Sequence, residues 1–386
     1  IHVIQEALTR DRYSRNKGTA DEETKENIKR KVGLFFQVIL HYRKSVITED
    51  NPPHERIVVF DEAQRMWDEH EADKNIRLLG LPPRGKSEPD LLIEHMDRLD
   101  DWAIILCLLG GGQEINKGED GLIEWLKSIR TKFPHWNVFA APEISTKEYL
   151  GNVSAESALD IVNKTFIDEL HLNTSTRSFK AENFSKMINH LLDREIPQVK
   201  EIIKEFNEKD DKEKYHLLIT RDIQTAKDWV KKKVRGNERC GMFTTALSHR
   251  LWPEGIVKRG QREFNELGWW LDDEEYIDSS PKLEIPCTEF FSQGLELDWS
   301  IFGWDACLRP NNLDWDYFRF ERSKWKTITN ETKRKYLKNA FRVLLTRARQ
   351  GMIIFVPKGD QNDKSRLPEF YDVIYNDLKE IGIKEI

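Results

Sequence analysis

The sequence predicts an α/β fold of two domains, each built around a parallel sheet. The chain has 386 residues, which is enough for two or three domains. Short continuous apolar runs, typical of strands that are buried on both faces, alternate with segments of helical spacing. The order strand, helix, strand occurs twice along the chain, and it is the order of a doubly wound α/β domain.

The first domain is predicted at residues 1–155 and opens with helices. Ile1–Leu8 and Lys31–Val46 are predicted as helices, and Asn51-Pro52-Pro53 ends the second because proline lacks an N–H donor. Ile1 is not an initiator Met and no signal peptide follows it, so we expect further sequence upstream. The later elements are a strand at Ile57–Phe60, a helix at Leu91–Leu99, a strand at Ala103–Leu109, a helix at Leu122–Phe133 and a strand at Val138–Ala141.

The second domain is predicted at residues 156–386. Residues from about 250 to 286 lack a clear period and are predicted as an insertion. The expected strands are His216–Thr220, Gly241–Thr245, Phe290–Phe291, Ser300–Trp304 and Met352–Val356. The expected helices are Lys180–Leu192, Pro197–Phe206, Ile223–Lys233, Lys333–Leu345 and Glu369–Ile381.

Composition narrows the class of protein. No apolar stretch approaches the roughly 20 residues that a membrane helix needs, and 33% of the residues are charged, which predicts a soluble chain. The four cysteines form no Cys-x-x-Cys pair, which argues against a zinc site and for reduced thiols in a cytoplasmic protein. The net charge of −6 gives no general attraction to nucleic acid, but it leaves room for a local basic groove.

The segment Val58-Val59-Phe60-Asp61-Glu62-Ala63-Gln64 has the clearest chemistry. A buried strand here delivers Asp61 and Glu62 together at its carboxyl end, where α/β sheets place ligands. In ATPases with a phosphate-binding loop, such an Asp holds Mg²⁺ and such a Glu polarises the attacking water. A surface turn that ends a strand in two acids has the same pattern, so the segment alone leaves both interpretations open.

A glycine-rich segment, Gly110-Gly111-Gly112-Gln113, follows the next predicted strand. Its glycines let the backbone approach a ligand closely, and Gln113 could reach a terminal phosphate or a bonded water. A flexible turn before the next helix is the alternative. The order of the two strand ends favours function, because together they present complementary groups.

Three later segments carry candidate residues from the second domain. Arg177 lies where an arginine could stabilise charge on a transferring phosphoryl group, Gly294 permits close backbone contact, and Glu296 could accept from a ribose hydroxyl. Arg347 and Arg349 are two residues apart and cannot share a helix face, so one of them is expected to point at a phosphate. Each segment has a plain structural alternative, an arginine beside a helix end or a turn with solvated acids.

One phosphate-loop match is predicted to be a coincidence. Gly80–Ser87 fits the pattern Gly-x4-Gly-Lys-Ser, whose chemistry needs successive backbone N–H groups aimed at phosphate oxygens. Pro82 and Pro83 have no N–H to give. The match also follows the Asp61-Glu62 strand, whereas the usual order is the reverse.

Taken in order, the segments resemble the motifs of superfamily 1 helicases. Asp61-Glu62-Ala63-Gln64 resembles motif II, or Walker B, Gly110–Gln113 motif III, Arg177-Ser178 motif IV, Gln293–Glu296 motif V and Thr346–Arg349 motif VI. More closely, the chain is similar to the bacterial DUF2075 family, a helicase-like group that also resembles the C-terminal part of Schlafen proteins. The phrases that carry this similarity are Ser87-Glu88-Pro89, Gly110–Asn116, Gly118-Glu119 and Val343–Arg349.

The resemblance implies two RecA-like domains of the P-loop NTPase class, the first lacking its N-terminal strand and its Walker A loop. That family begins with such a loop and nothing before Asp61 provides one, so the chain is expected to be a fragment that is inactive as supplied. The implied cofactors are ATP and Mg²⁺. The implied partner is single-stranded DNA or RNA, with Trp252, Trp269, Trp270 and the run Lys231-Lys232-Lys233 as candidate contacts.

The resemblance also implies roles for the candidate residues. Asp61 would hold Mg²⁺, Glu62 would act as general base, and Gln113 would sense the γ-phosphate. The remaining nucleotide contacts would be Gln64, Arg177, Gly294, Glu296, Arg347 and Arg349. Two alternatives stay open: a nucleic-acid- or protein-binding module that kept the shape without hydrolysing ATP, and, less favoured, a nuclease, for which no second cluster of Asp, Glu and Lys is found.

Overall fold

A computed structural model of the chain describes residues 2–37, 39–48, 51–110, 121–150, 153–172, 179–208, 210, 214–292, 294–311 and 314–386. The chain divides into two units. Unit 1 is Thr24–Thr174, and unit 2 combines His2–Glu23 with Ser175–Ile386. Each unit has its own buried apolar clusters and its own sheets.

The helices are α1 (His2–Asn16), α2 (Lys25–Phe35), α3 (Ile39–Thr48), α4 (Glu69–Leu78), α5 (Glu88–Met96), α6 (Gly121–Thr131), α7 (Lys147–Leu150), α8 (Ala155–Ala158), α9 (Phe179–Leu192), α10 (Ile196–Glu208), α11 (Ile223–Lys233), α12 (Glu266–Leu271), α13 (Glu331–Leu345) and α14 (Pro368–Glu380). The strands are β1 (Ile57–Phe60), β2 (Ile104–Cys107), β3 (Val138–Ala140), β4 (Lys164–Phe166), β5 (His216–Thr220), β6 (Cys240–Thr244), β7 (Leu297–Gly303), β8 (Leu308–Asn311), β9 (Asp314–Glu321), β10 (Lys324–Thr327), β11 (Ala348–Phe355) and β12 (Lys384–Glu385).

The described strands of unit 1 form two parallel pairs, β1 with β2 and β3 with β4. The prediction that β1 and β2 are buried on both faces is wrong. Successive side chains of a strand point to opposite faces. One face, with Val58 and Phe60, packs on a core that includes Trp125, while the other face is exposed. The exposed side chains are Ile57 at 53%, Val59 at 54%, Ile104 at 48% and Leu106 at 44%.

Unit 2 contains a five-stranded parallel sheet in the order β12-β5-β11-β7-β6. Here β6 and β7 are covered on both faces, as predicted, and every one of their residues is buried, whereas both residues of the edge strand β12 are exposed. One face packs in a cluster with α11, and the other packs in a larger cluster with α9, α10, α13 and α14. The mixed α/β class with parallel sheets is therefore confirmed.

Unit 2 also contains an antiparallel meander, β8-β9-β10, that was not predicted. The turn between β9 and β10 is formed by Arg322 and Ser323, with φ of 48° and 64°. Both residues are in the left-handed region, which two-residue hairpin turns of the favoured type require and which Asn-Gly normally supplies. Arg-Ser is not a dipeptide that predicts such a turn, so the sequence pattern does not indicate this hairpin.

Several predicted boundaries need correction. The first helix runs to Asn16, because Arg10 pairs with Glu6 and Arg15 with Asp11 one turn apart, and these pairs support its polar half. The helix predicted at Lys31–Val46 is two helices, since Phe36 has extended backbone after α2. Phe290–Phe291 lies in a turn and is not a strand.

Candidate functional site

The carboxyl end of β1 brings Asp61 and Glu62 to the edge of the β1-β2 pair. Asp61 is exposed, and its Oδ1 accepts the backbone N–H of Glu62 at 3.1 Å. Glu62 has left-handed backbone, with φ 55° and ψ 41°. The chain therefore turns sharply at Glu62, two residues after the end of β1.

Two backbone hydrogen bonds extend the pairing of β1 and β2 past the strands. Leu108 donates its N–H to the carbonyl of Phe60 at 2.9 Å, and Ala63 donates to the carbonyl of Leu108 at 2.9 Å. The Ala63 carbonyl in turn accepts the indole N–H of Trp125 at 3.1 Å. The loop that carries the two acids is therefore fixed to the loop after β2 and to α6.

Gln64 joins the two candidate loops. Its side chain is 7% exposed. The amide Nε2 donates to Glu62 Oε2 at 2.9 Å, and Oε1 accepts the backbone N–H of Gly110 at 3.1 Å. Arg65 adds an ion pair to the same Glu62 oxygen at 3.1 Å. Gln64 thus orients Glu62 against the start of the glycine-rich segment, a positioning role that the sequence pattern alone did not predict.

The donor set at this edge fits Mg²⁺ only together with a phosphate ligand. Among the described residues, no group of three or more His, Cys, Asp and Glu side chains could hold a metal ion. Mg²⁺ keeps several waters and is usually bound through one or two carboxylates plus substrate phosphates. The exposed carboxylate of Asp61 can supply one such ligand.

Several predicted residues lie outside the described part of the chain. These are Gly111, Gly112, Gln113, Arg177 and Gln293. The roles predicted for Gln113 and Arg177 stay predictions.

The candidates of unit 2 that the structure describes lie at the amino ends of neighbouring strands. Glu296 precedes β7 and Arg347 precedes β11, and Leu297 donates its N–H to the Arg347 carbonyl at 2.8 Å. Gly294, with φ 73°, is exposed two residues before Glu296. The segments that resemble motifs V and VI are therefore in contact. Their positions along the sequence alone did not predict this contact.

The two arginines differ in their contacts. Arg347 donates Nε to the carbonyl of Val343, the residue one turn earlier in α13, at 2.9 Å. Arg349 forms an ion pair with Asp298 at 3.1 Å, and its side chain is 48% exposed. The two side chains thus have different partners, and the expectation that one of them points at a phosphate stays a prediction.

A turn with solvated acids was the structural alternative for the segment at 292–298, and it does not hold for Asp298. The residue is 9% exposed, and its Oδ2 accepts the backbone N–H of Arg239 at 2.9 Å. Nearby, the Tyr215 hydroxyl donates to the Ala348 carbonyl at 3.2 Å, and burial, together with the charge of Glu296, raises the pKa of Tyr215. Asp298 sits on the strand that Glu296 precedes, and its inward position follows only from the register of β7.

The residues of the phosphate-loop match at Gly80–Ser87 make contacts within unit 1. Lys86 forms an ion pair with Glu94 at 2.7 Å, and Ser87 caps α5 in a reciprocal arrangement with Asp90. The backbone N–H groups of Arg84 and Gly85 donate to a carboxylate oxygen of Asp73, at 2.8 and 3.2 Å. These contacts agree with the prediction that the match is a coincidence.

Two of the three tryptophans proposed for base stacking are core residues. Trp269 is fully buried and Trp270 is 4% exposed, and each indole N–H donates to a backbone carbonyl. Trp252 is exposed. In the predicted basic run, Lys231 pairs with Glu274 at 2.8 Å. None of the helices in the described residues is long and apolar enough to span a membrane.

Comparison with known proteins gives one match. Residues 1–358 match the family model described as Schlafen group 3, DNA/RNA helicase domain. No curated protein and no solved structure matches the chain. The matched span contains Asp61, Glu62 and Gln64 as well as the contact between the segments at 294–298 and 347–349.

Proposed function

The chain belongs to the Schlafen group 3 DNA/RNA helicase domain family, and from this premise we propose that it is the nucleic-acid-binding part of an ATP-driven, helicase-like motor. The family indicates a helicase-like function that involves nucleic acid. ATP hydrolysis, movement along a strand and the assignment of individual residues belong to the proposal.

One observation carries the ATPase part of the proposal, the joined strand ends at Asp61 and Gly110. A motor of this class needs a carboxylate for the metal and a second carboxylate beside the attacking water. Asp61 is exposed for the first role, and Glu62 is held in place by Gln64 and Arg65 for the second. Mg²⁺ would neutralise phosphate charge when bound, and these side chains would orient the water and accept its proton.

The lack of a recognisable phosphate-binding loop limits what residues 1–386 can do alone. Their one match to the loop pattern has its lysine and serine committed to Glu94 and to the cap of α5. We therefore propose that these residues bind nucleic acid without turnover, and that hydrolysis requires a phosphate-binding loop in addition. The same observation supports the second candidate, a module with a helicase-like fold that does not hydrolyse ATP.

Steady-state ATPase assays with and without a single-stranded oligonucleotide separate these candidates. The protein assayed should carry both this chain and a phosphate-binding loop. We expect stimulated turnover, and Glu62→Gln should reduce it by about 100-fold or more, the usual contribution of a general base. Turnover that Glu62→Gln leaves unchanged would contradict the assignment of Glu62, and the absence of any turnover would favour the non-hydrolysing module.

Lys86→Ala is the matched control for the loop. Because Lys86 is paired with Glu94 on the protein itself, we expect nucleotide affinity to stay within twofold of the unmodified protein. A large loss of affinity, measured by titration with a fluorescent ATP analogue, would mean that Gly80–Ser87 binds phosphate after all.

A further inference from the structure

The sequence from Arg319 to Arg342 concentrates positive charge in a protein that is acidic overall. These 24 residues contain nine Lys or Arg and two Asp or Glu, a net charge of +7, whereas the whole chain has −6. They form the turn side of the β9-β10 hairpin and most of α13. Such a local field attracts polyanions even when the net charge of the protein does not.

The hairpin presents this charge on one side. Lys324 pairs in register with Glu321, and Lys326 with Arg319, so these four side chains share a face. The opposite face is anchored by Trp325, whose indole N–H donates to the carbonyl of Ser365 at 2.8 Å. The aromatic face holds the hairpin on unit 2 and leaves the charged face outward.

Helix α13 begins beside the same face. The guanidinium of Arg334 lies 5.6 Å from the ring centroid of Tyr317, which shares a strand face with Arg319 two residues later. Arg334 also donates Nε to the carbonyl of Ile328 at 2.6 Å, and Ile328 donates its N–H to the carbonyl of Tyr317 at 2.8 Å. These contacts fix the first turns of α13 to β9, so the two basic segments form one surface.

Eight of the nine cations in this segment fall into two groups, and the ninth, Arg334, lies over the ring of Tyr317. Arg319 and Lys326 both pair with Glu321, and Lys338 and Arg342 both pair with Asp193. The second group is exposed, and none of its members forms an ion pair with a residue that the structure describes. It consists of Arg322 and Lys324 at the hairpin turn and Lys333 and Lys335 in the first turns of α13.

We propose that these four side chains, here named the basic ledge, bind the sugar-phosphate backbone of single-stranded nucleic acid. The choice of this polyanion rests on the proposed function. Unpaired, flexible cations suit a regular row of phosphates, which they contact without reading sequence. Tyr336 follows Lys335 in α13 and is 40% exposed. Its ring adds a surface on which a base can stack.

One feature favours nucleic acid over an anionic membrane. A membrane-surface segment needs large apolar side chains beside its cations. In residues 314–345, Tyr336 is the one large hydrophobic side chain among the exposed ones. The left-handed backbone at Arg322 and Ser323 is a conformation that costs about 1–2 kcal/mol per residue outside glycine, and it places Arg322 at the tip of the hairpin.

The test uses a neutralised ledge in the whole chain. The variant combines Arg322→Asn with Lys324→Gln, Lys333→Gln and Lys335→Gln, because Asn tolerates left-handed backbone and Gln keeps helix propensity. Fluorescence anisotropy with a 20-nucleotide oligo-dT, repeated over a range of salt concentrations, measures the affinity. We expect at least a tenfold loss at low salt, and a salt slope that is shallower by roughly 3, about 0.7 for each phosphate contact.

The control variant makes the same change of charge at exposed positions outside residues 319–342. It combines Lys17→Gln, Lys200→Gln, Arg262→Gln and Lys384→Gln. Its affinity should stay within twofold of the unmodified chain, so a general effect of net charge is distinguished from a local one. Circular dichroism and thermal unfolding of both variants establish that the fold is kept.

The outcomes separate the ledge from the proposed function. If the unmodified chain binds oligo-dT and the ledge variant binds equally well, the ledge is overturned while the helicase-like function stands. If the unmodified chain binds no oligonucleotide, the nucleic-acid function fails, and the ledge fails with it. A ledge variant that loses binding to phosphatidylserine vesicles but keeps its oligonucleotide affinity would assign the surface to a membrane instead.

Discussion

Unit 1 and unit 2 hold their candidate residues in different ways. In unit 1, Asp61 and Glu62 follow the carboxyl end of a strand in a two-stranded pair, one face of which is exposed. In unit 2, Glu296 and Arg347 precede the amino ends of strands in a five-stranded sheet that is covered on both faces. The candidate residues of unit 1 are therefore supported by fewer strands and less buried side-chain packing than those of unit 2.

The two units use different interactions to hold their candidate side chains in position. Around Asp61 it comes from hydrogen bonds between loops, through Gln64, Gly110 and Trp125. Around Arg349 it comes from two paired strands, since Ala348 pairs with Leu297 just before the register shifts at a bulge, and the next residues, Arg349 and Asp298, form the ion pair. Substitutions should therefore affect the two units through different interactions.

The largest expected effect comes from Trp304→Ala in unit 2. Trp304 is fully buried, its indole N–H donates to the Leu308 carbonyl at 3.0 Å, and its ring lies 4.9 Å from that of Phe341. We expect the free energy of unfolding to fall by about 3–5 kcal/mol, the range for truncating a buried aromatic side chain. Urea unfolding followed by circular dichroism measures it.

Val59→Thr in unit 1 is the contrasting change. Val59 lies inside strand β1, but its side chain is 54% exposed, so we expect a change within about 0.5 kcal/mol. A loss as large as that of Trp304→Ala would mean that the exposed face of β1 is covered in solution, and the contrast between the units would then disappear.

The next effect is that of Gln64→Ala on the candidate site. The change removes the acceptor of the Gly110 N–H and the donor to Glu62, and an unpaired buried polar group costs about 1–3 kcal/mol. Hydrogen exchange read by mass spectrometry should show faster exchange in peptides that cover 57–66 and 104–110. Gln224→Ala, which removes an exposed helical glutamine from unit 2, is the control; equal effects of the two changes would refute the bridging role of Gln64.

A smaller loss than that of Gln64→Ala is expected at the N-cap of α11. Asp222 accepts the backbone N–H of Thr225 at 2.7 Å, and this hydrogen bond lowers the pKa of Asp222. A lowered pKa stabilises the fold above the unfolded value, about 3.9, and that contribution is lost as the pH falls. Asp222→Ala should cost about 1 kcal/mol at pH 7, the usual value for a cap, and less at pH 3.

Thermal unfolding at both pH values, with Asp222→Asn as control, measures this cap. Asn keeps the acceptor oxygen without the charge, so Asp222→Asn should cost less than Asp222→Ala, and the difference between these two variants should vary little with pH because neither residue titrates. A cost of Asp222→Ala that is the same at pH 3 and pH 7 would show that the charge of Asp222 contributes nothing.

The sequence was a good guide to elements whose pattern is local. Ile57–Phe60, His216–Thr220 and Ile223–Lys233 form as predicted, to the residue, because an apolar run or a helical period marks each one. Most other helices of unit 2 differ from their predicted bounds by one or two residues. The meander at β8-β9-β10 was missed since its turn, Arg322-Ser323, lacks the usual turn residues.

The candidate site was predictable in part. The succession of acids at 61 and 62 and the glycine at 110 indicated that two loops meet, and the parallel pairing of β1 and β2 brings them together. The bridge through Gln64 and the burial of Asp298 depend on side-chain contacts between residues distant in sequence. Such contacts follow from tertiary packing, which no local pattern encodes.

Under the proposed role of Glu62 as general base, its left-handed backbone sets stability against activity. Glycine or asparagine adopts φ near 55° at lower cost than glutamate does, so either would relieve about 1 kcal/mol of strain. A laboratory selection for thermal tolerance alone should therefore drift away from glutamate at this position, whereas a selection for turnover should keep it. The residue found at position 62 after each selection would then show whether thermal tolerance or turnover had been selected.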